Sequence, residues 1–317
     1  MIKLKRVQII VFLFIVSLVS AGCSNLGLIR PTASPAFIHS YKYVQIEGFS
    51  EETNDRFRKF FQDTLDYKDR KVAVFDCDGT ILGQVPHYLA DESIYTYANE
   101  NKNLKPQLVK NMTTRSNVGE QYVVDRIKYL AGMNASTVQN LGADCFENNY
   151  EGKFYPEILK LIGNLKNFGF EVWIVSASPE VLYEKFVSER TGVPVTRIIG
   201  VKSVIKNGVI TDEMVHPVPQ DNGKEFTIDT FIKTKPLFAA GNSRGDFEML
   251  SASRMLKLIV NPDDTKKEKI FNGMTLKEYA KNYNWVIVNC NDVPEPGFPS
   301  VSSKVFNIKK NTSHPKE

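Results

Sequence analysis

The stretch Val72-Ala73-Val74-Phe75-Asp76-Cys77-Asp78-Gly79-Thr80-Ile81 decides how the rest of the chain is read. Its four leading residues are apolar, and three of them are β-branched or aromatic, as in a strand covered on both faces inside a parallel sheet. The strand ends where the polar residues begin. Asp76 and Asp78 therefore stand at its carboxyl end, where open α/β sheets bind ligands. Two carboxylates one residue apart, at a mouth otherwise made of backbone, attract a hard cation such as Mg2+. Gly79 lets the chain turn with its N–H groups facing inward, and Thr80 adds a hydroxyl. Asp-x-Asp-Gly is equally a simple strand-capping turn, so the segments downstream have to decide.

Three of them do. Glu171-Val172-Trp173-Ile174-Val175-Ser176 reads as a second buried strand, and Ala177-Ser178-Pro179-Glu180 leads from it into a helix. A hydroxyl and N–H groups at such a junction make an anion site, aided by the helix dipole. Asn222-Gly223-Lys224-Glu225-Phe226 opens a helix running through Ile232. A lysine there opposes the dipole and needs another reason to be present; Lys233 and Lys235 are alternatives, but both stand close to the next strand. That strand is Pro236–Ala240, and Gly241-Asn242-Ser243-Arg244-Gly245-Asp246 follows it.

Taken in this order, the four segments resemble the motifs of the haloacid dehalogenase superfamily of phosphohydrolases. The resemblance covers roughly residues 70–290 and implies a doubly wound α/β fold with a parallel sheet. By the same resemblance Asp76 is the nucleophile and Asp78 the general acid and base. Ser176, the Ala177 backbone, Lys224 and the Gly79–Thr80 turn would bind phosphate. Asp76, Asp78, Asn242 and Asp246 would hold Mg2+. The fourth motif ordinarily begins Gly-Asp; here an amide, Asn242, takes the first acid's place, which removes one negative charge.

Between Ile81 and the second strand, residues 86–154 offer helical patterns at Tyr88–Tyr97, Val118–Leu130 and Ser136–Phe146. Such an insertion resembles the helical cap that closes over the site in the phosphoserine phosphatase branch. In that branch an acid nine positions after the first aspartate holds the substrate's amino group; here the position is Val85, which argues against phosphoserine. Tyr88, Tyr95, Tyr97 and Tyr122 are aromatic candidates for stacking on an organic group or a quaternary ammonium, phosphocholine being one example, or for plain packing. The core is expected over 50–85 and 155–292. Within it Phe57, Phe60, Phe61 and Leu65 form a helical packing stripe after an N-cap at Ser50. Further on come a helix at Pro156–Phe168, a strand near Arg197–Val201, a hairpin turn at Asn207-Gly208, and strands at Leu256–Val260 and Trp285–Val288. Residues 293–317 read as a surface-running tail.

The amino terminus carries Lys3, Lys5 and Arg6 ahead of an apolar run from Ile9 to Val19, then Ser20-Ala21-Gly22-Cys23. This is the layout of a secretory signal, and the run is shorter than the ~20 apolar residues of a membrane span. The last four residues resemble a bacterial lipobox, with Ser20 where leucine is commonest. That implies a signal over 1–22, lipidation at Cys23, a tether over 23–49, and an exported protein anchored to a membrane. Loss of the three basic signal residues takes the net charge from +4 to +1, so nothing in the charge points to nucleic acid. With 42% hydrophobic and 24% charged residues the composition is that of an ordinary globular protein. Cys77, between the two aspartates, reads as a small buried hydrophobe, and no spacing argument favours a Cys145–Cys290 disulfide. The function expected is Mg2+-dependent hydrolysis of a small exported phosphomonoester through an aspartyl-phosphate. Alternatives are a phosphotransferase or mutase of the same fold, a receiver-type phosphoacceptor, or a non-enzymatic ligand-binding lipoprotein, which would have no need of the paired aspartates.

Overall fold

The computed structural model describes residues 41–295 and 297–312. The signal, Cys23 and the first part of the tether lie outside these residues. No helix among the described residues is long and apolar enough to cross a membrane. In chain order the elements are α1 (Glu51–Asp63), β1 (Val72–Phe75), α2 (Leu89–Glu100), α3 (Pro106–Thr114), α4 (Glu120–Leu130), α5 (Ala135–Asn149) and α6 (Pro156–Asn167). Next come β2 (Glu171–Pro179), α7 (Glu180–Thr191), the β3 (Ile198–Lys206) and β4 (Val209–Val215) hairpin, α8 (Asn222–Thr227) and β5 (Phe238–Gly241). The chain finishes with α9 (Phe247–Ser251), β6 (Leu256–Val260), α10 (Leu276–Asn282), β7 (Val286–Val288) and α11 (Val301–Lys304).

One seven-stranded sheet runs in the order β4-β3-β2-β1-β5-β6-β7, and every pairing is parallel except β3 with β4. The chain builds β1, β2 and β3 outward to one side and β5, β6 and β7 outward to the other. The direction of winding therefore reverses between β1 and β5, and a crevice opens there at the strands' carboxyl ends. All four residues of β1 are fully buried, as its unbroken apolar run requires.

The phenylalanine stripe is core. Phe57 and Phe60 pack on Phe238, and Phe75 packs on the same ring; Phe61 stacks on Phe168 at 4.4 Å. Ser50 caps α1, its hydroxyl accepting from the Thr53 N–H. The helix stops before Leu65, which is exposed. The insertion between β1 and β2 is helical, α2 to α5. It includes α3, which lies outside the three helical patterns of the sequence; Pro106 at its first turn and buried Met112 hold it.

Two segments differ from expectation. Residues 41–49 are not a tether: Ile46 is fully buried, Tyr43 and Phe49 pack on the core, and the Asn164 side chain bonds both the N–H and the C=O of Val44. Three apolar side chains at intervals of three cover the α1–α6 seam, a period too short to stand out in sequence. Nor is the carboxyl-terminal segment a simple surface tail. Phe298, Phe306 and Ile308 pack on the core, α11 lies against α2, and Ser302 is fully buried.

Candidate active site

Asp76 follows β1 directly, its N–H continuing the ladder to the Ala240 carbonyl. Only 5% of it is exposed. Its Oδ1 accepts from Lys224 Nζ at 2.6 Å, and its Oδ2 from Thr80 Oγ1 at 2.8 Å. Lys224, at the start of α8, donates at the same 2.6 Å to Asp246 Oδ1. That second contact explains a cation at a helix start. The other oxygen of Asp246 collects the N–H groups of Asn242 and Ser243 and the Ser243 hydroxyl, folding the loop after β5 around one carboxylate. The other lysines weighed for this role lie elsewhere: Lys235 pairs with Glu225 and Asp229, and Lys233 ends the helical segment after α8.

Both oxygens of Asp78 are also held, Oδ2 by Ser178 Oγ at 2.8 Å and Oδ1 by the Tyr183 hydroxyl at 2.7 Å. Ser176, 3% exposed, lies in the carboxyl-terminal half of β2, and its hydroxyl accepts from the Ser178 N–H. Asp76, Asp78, Ser176, Ala177, Lys224, Asn242 and Asp246 all line one cavity of about 440 Å3. The candidate residues from four separate stretches of sequence thus meet at the winding reversal.

Gly79 and Thr80 are a correction. Gly79 N–H is used by the Leu82 carbonyl and Thr80 N–H by the Cys77 carbonyl, and neither residue lines the cavity. The loop spends its own donors on its turn, and the Thr80 hydroxyl serves Asp76. Gly79 is needed for space: its φ is +84°, and a Cβ there would sit 2.0 Å from Asn242 Nδ2. Cys77 is the buried hydrophobe expected, its thiol pushed well up by burial. Cys145 is a buried thiol 3.9 Å from the Leu89 carbonyl. Of the four cap tyrosines only Tyr88 lines this cavity. Tyr95 and Tyr122 are buried with their hydroxyls 3.2 Å apart, so no aromatic cage for a quaternary ammonium surrounds this cavity.

The electrostatics are those of crowded acids. Burial, then the neighbouring Asp246 carboxylate, push Asp76 up to about 7 against the pull of Lys224. Burial raises Asp78 as well, opposed by its bonds from Tyr183 and Ser178 and by the charge of Arg126. Burial works against the charge of Lys224, but Asp246 and Asp76 outweigh it, so its pKa is raised and it stays an ammonium.

A divalent ion fits this donor set. Asp76, Asp78 and Asp246, three carboxylates, face two cations, Lys224 and Arg126, across the cavity. Among the described residues no three Asp, Glu, His or Cys side chains form a metal group by themselves. A metal held here would need further oxygens, which the Asn242 amide and the Asp78 carbonyl would supply. A hard-oxygen set with few protein ligands suits Mg2+, which keeps several waters.

The sequence reading did not reach Arg126, Ser178 or Tyr183. Arg126 extends from α4 into the cavity, donates to the Ala177 carbonyl at 2.8 Å, and lies 3.5 Å from buried Asp91. Its signal was a cation among Tyr122, Val123, Ile127 and Leu130 on one helix, all of them buried. Tyr183 was findable as the first-turn residue of a helix that starts at the motif itself.

A capped crevice at a sheet's winding reversal, lined by paired aspartates, a buried lysine and a hydroxyl, defines a doubly wound α/β enzyme of anionic substrates. The sequence profile of the haloacid dehalogenase-like hydrolases matches residues 73–251, and the chain belongs to that family. No curated protein matches the sequence. Among solved structures, a conserved functionally unknown protein from Anaerococcus prevotii DSM 20548 aligns over 86% of this chain and 99% of its own, at 15% identity and TM-score 0.60. A protein with unknown function from Bordetella pertussis Tohama I aligns over 70% and 99%, at 16% identity and TM-score 0.55. Both likenesses show the fold alone. A substrate-bound phosphoserine phosphatase complex aligns over 70% and 93%, at 20% identity and TM-score 0.45, too loosely to bear on activity.

Proposed function

We propose that this hydrolase is an Mg2+-dependent phosphomonoesterase working through an aspartyl-phosphate on Asp76. The observation that carries the reading is Lys224 held between Asp76 and Asp246 at 2.6 Å each, with the doubly hydrogen-bonded Asp78 two residues on. Asp76, the Asp78 carbonyl, Asn242 and Asp246 would hold the metal, which when bound neutralises the substrate's phosphoryl oxygens and the nucleophile.

The Asp76 carboxylate attacks phosphorus as the bond to the leaving oxygen breaks, and Asp78 gives that oxygen its proton. The Asp78 carboxylate then takes a proton from water, whose oxygen attacks the phosphorus. The bond to Asp76 breaks, releasing phosphate and restoring both aspartates. Ser176, the Ala177 backbone and Lys224 bind the phosphoryl oxygens, where charge spreads in the transition state. Burial raises the pKa of Asp78, the direction that an acid working near neutral pH needs.

The cavity volume favours a small phosphorylated metabolite. The lipobox-like Ser20-Ala21-Gly22-Cys23 supports an exported, membrane-anchored enzyme. The test is hydrolysis of p-nitrophenyl phosphate with and without Mg2+. Activity should require the ion and vanish in Asp76→Asn while circular dichroism stays unchanged. Undiminished turnover in that variant rejects Asp76 as nucleophile.

A further inference from the structure

Asp78 is gripped by two hydroxyls, and one of them is tied to the cap. Tyr183 belongs to α7 of the core and is 2% exposed. Its oxygen lies 2.7 Å from Asp78 Oδ1 and 3.0 Å from the backbone N–H of Ala90. Ala90 stands in the first turn of α2, the first cap helix, where N–H groups have no partner within the helix. A backbone N–H can only donate, so the tyrosine oxygen accepts there and must send its own proton to Asp78. The direction of the chain is therefore fixed, from Ala90 N–H to Tyr183 O–H to Asp78 Oδ1. Oδ1 is kept as an acceptor, and the proton exchanged with substrate is left to Oδ2, where the Ser178 hydroxyl donates to the carboxylate and must turn to accept from the acid.

We propose that Tyr183 is a positioning residue that aims Asp78 at the leaving oxygen, its own hydroxyl oriented by the Ala90 N–H of α2. The inference rests on the phosphomonoesterase reading and on Asp78 as its acid. With the cap displaced, the hydroxyl loses the amide that orients and polarises it, and Asp78 loses a fixed direction.

The experiment compares two esters whose need for an acid differs. With p-nitrophenyl phosphate the leaving group departs as a stable anion; with an alkyl ester such as glycerol 2-phosphate it needs a proton. In the full chain with Mg2+, Tyr183→Phe should lower kcat/KM for the alkyl ester by about 10–100-fold, less than the ~10²–10⁴-fold of general acid catalysis because Asp78 itself remains. The alkyl-to-aryl ratio of kcat/KM should fall about tenfold or more. A merely structural role would depress both esters alike, so an unchanged ratio overturns the proposal. Ser178→Ala, on the opposite oxygen, is the second variant. It should lower the same ratio, and an unchanged ratio there likewise counts against a two-hydroxyl grip. If the wild-type chain hydrolyses neither ester, or Asp76→Asn hydrolyses both normally, the phosphomonoesterase reading itself has failed.

Discussion

Lys224 serves two carboxylates at once, and its removal would expose how the site is balanced. Lys224→Met keeps the length of the stem but leaves Asp76 and Asp246, 5% and 1% exposed, without their shared cation. Breaking a buried pair from one side costs about 3–5 kcal/mol. Urea unfolding without added metal should show a loss of that order, and kcat/KM for p-nitrophenyl phosphate should fall about 100-fold or more. A loss confined to activity would mean that the acids simply protonate in its absence. Lys224 was legible because it follows a glycine ahead of the last motif, at a helix start that a lysine ordinarily avoids. Tyr183 and Arg126 were not, because their roles depend on which strand end they face, and that is settled by packing between segments distant in sequence. The donors of Gly79 and Thr80 were misread for a related reason: a tight turn consumes its own N–H groups before any ligand can use them.

Helix α5 meets α7 across Gly142, and this contact sets where the cap stands on the core. A Cβ at position 142 would lie 1.9 Å from the Leu182 carbonyl oxygen, beside Tyr183. Two effects compete in Gly142→Ala. Helix propensity favours alanine by about 1 kcal/mol; overpacking costs about 1–3 kcal/mol where backbone must move. Because the obstructing atom is backbone, the packing cost should win, and thermal unfolding should show a lower melting temperature. A higher one would mean that α5 shifts without strain. The elements themselves were mostly readable. Continuous apolar runs gave β1, β2 and β5, a regular helical period gave α1, α4, α5 and α6, and Asn207-Gly208 gave the β3–β4 turn. Helix α3 escaped because it buries little besides Met112, so it has no apolar stripe to display. Residues 41–49 escaped because three core-packing residues in nine, anchored by side-chain bonds from Asn54 and Asn164, are too few to show a period.

Across the whole molecule, the carboxyl-terminal segment fastens the two linkers that join cap to core. Asp292 bonds Lys153 Nζ at 2.6 Å with one oxygen and the Gln84 N–H at 2.9 Å with the other; Gly83 N–H meets the Lys153 carbonyl. Further along, Asn311 bonds the carbonyls of Gln84 and Pro86, and Glu92 accepts from the N–H groups that open α11. A tail rich in proline and serine gave no hint of this, since its hold depends on single polar contacts. His87 stands in the middle of the fastening, 1% exposed, its Nε2 2.6 Å from Ser303 Oγ. Burial first, and the charge of Lys310 second, lower its pKa from the ordinary 6.5 to about 4. Between those values the unfolded chain binds a proton that the folded chain refuses, so stability falls as the pH drops. The urea midpoint should decline between pH 7 and pH 5, with proteolytic release of residues 298–312 setting in over the same window. His87→Phe should flatten both trends, because no imidazole is left to protonate. If the variant declines as steeply as the parent, the acid sensitivity lies outside His87, which is then only packing; Asp76 and Asp78, whose pKa values are raised by burial, push stability the other way as the pH falls.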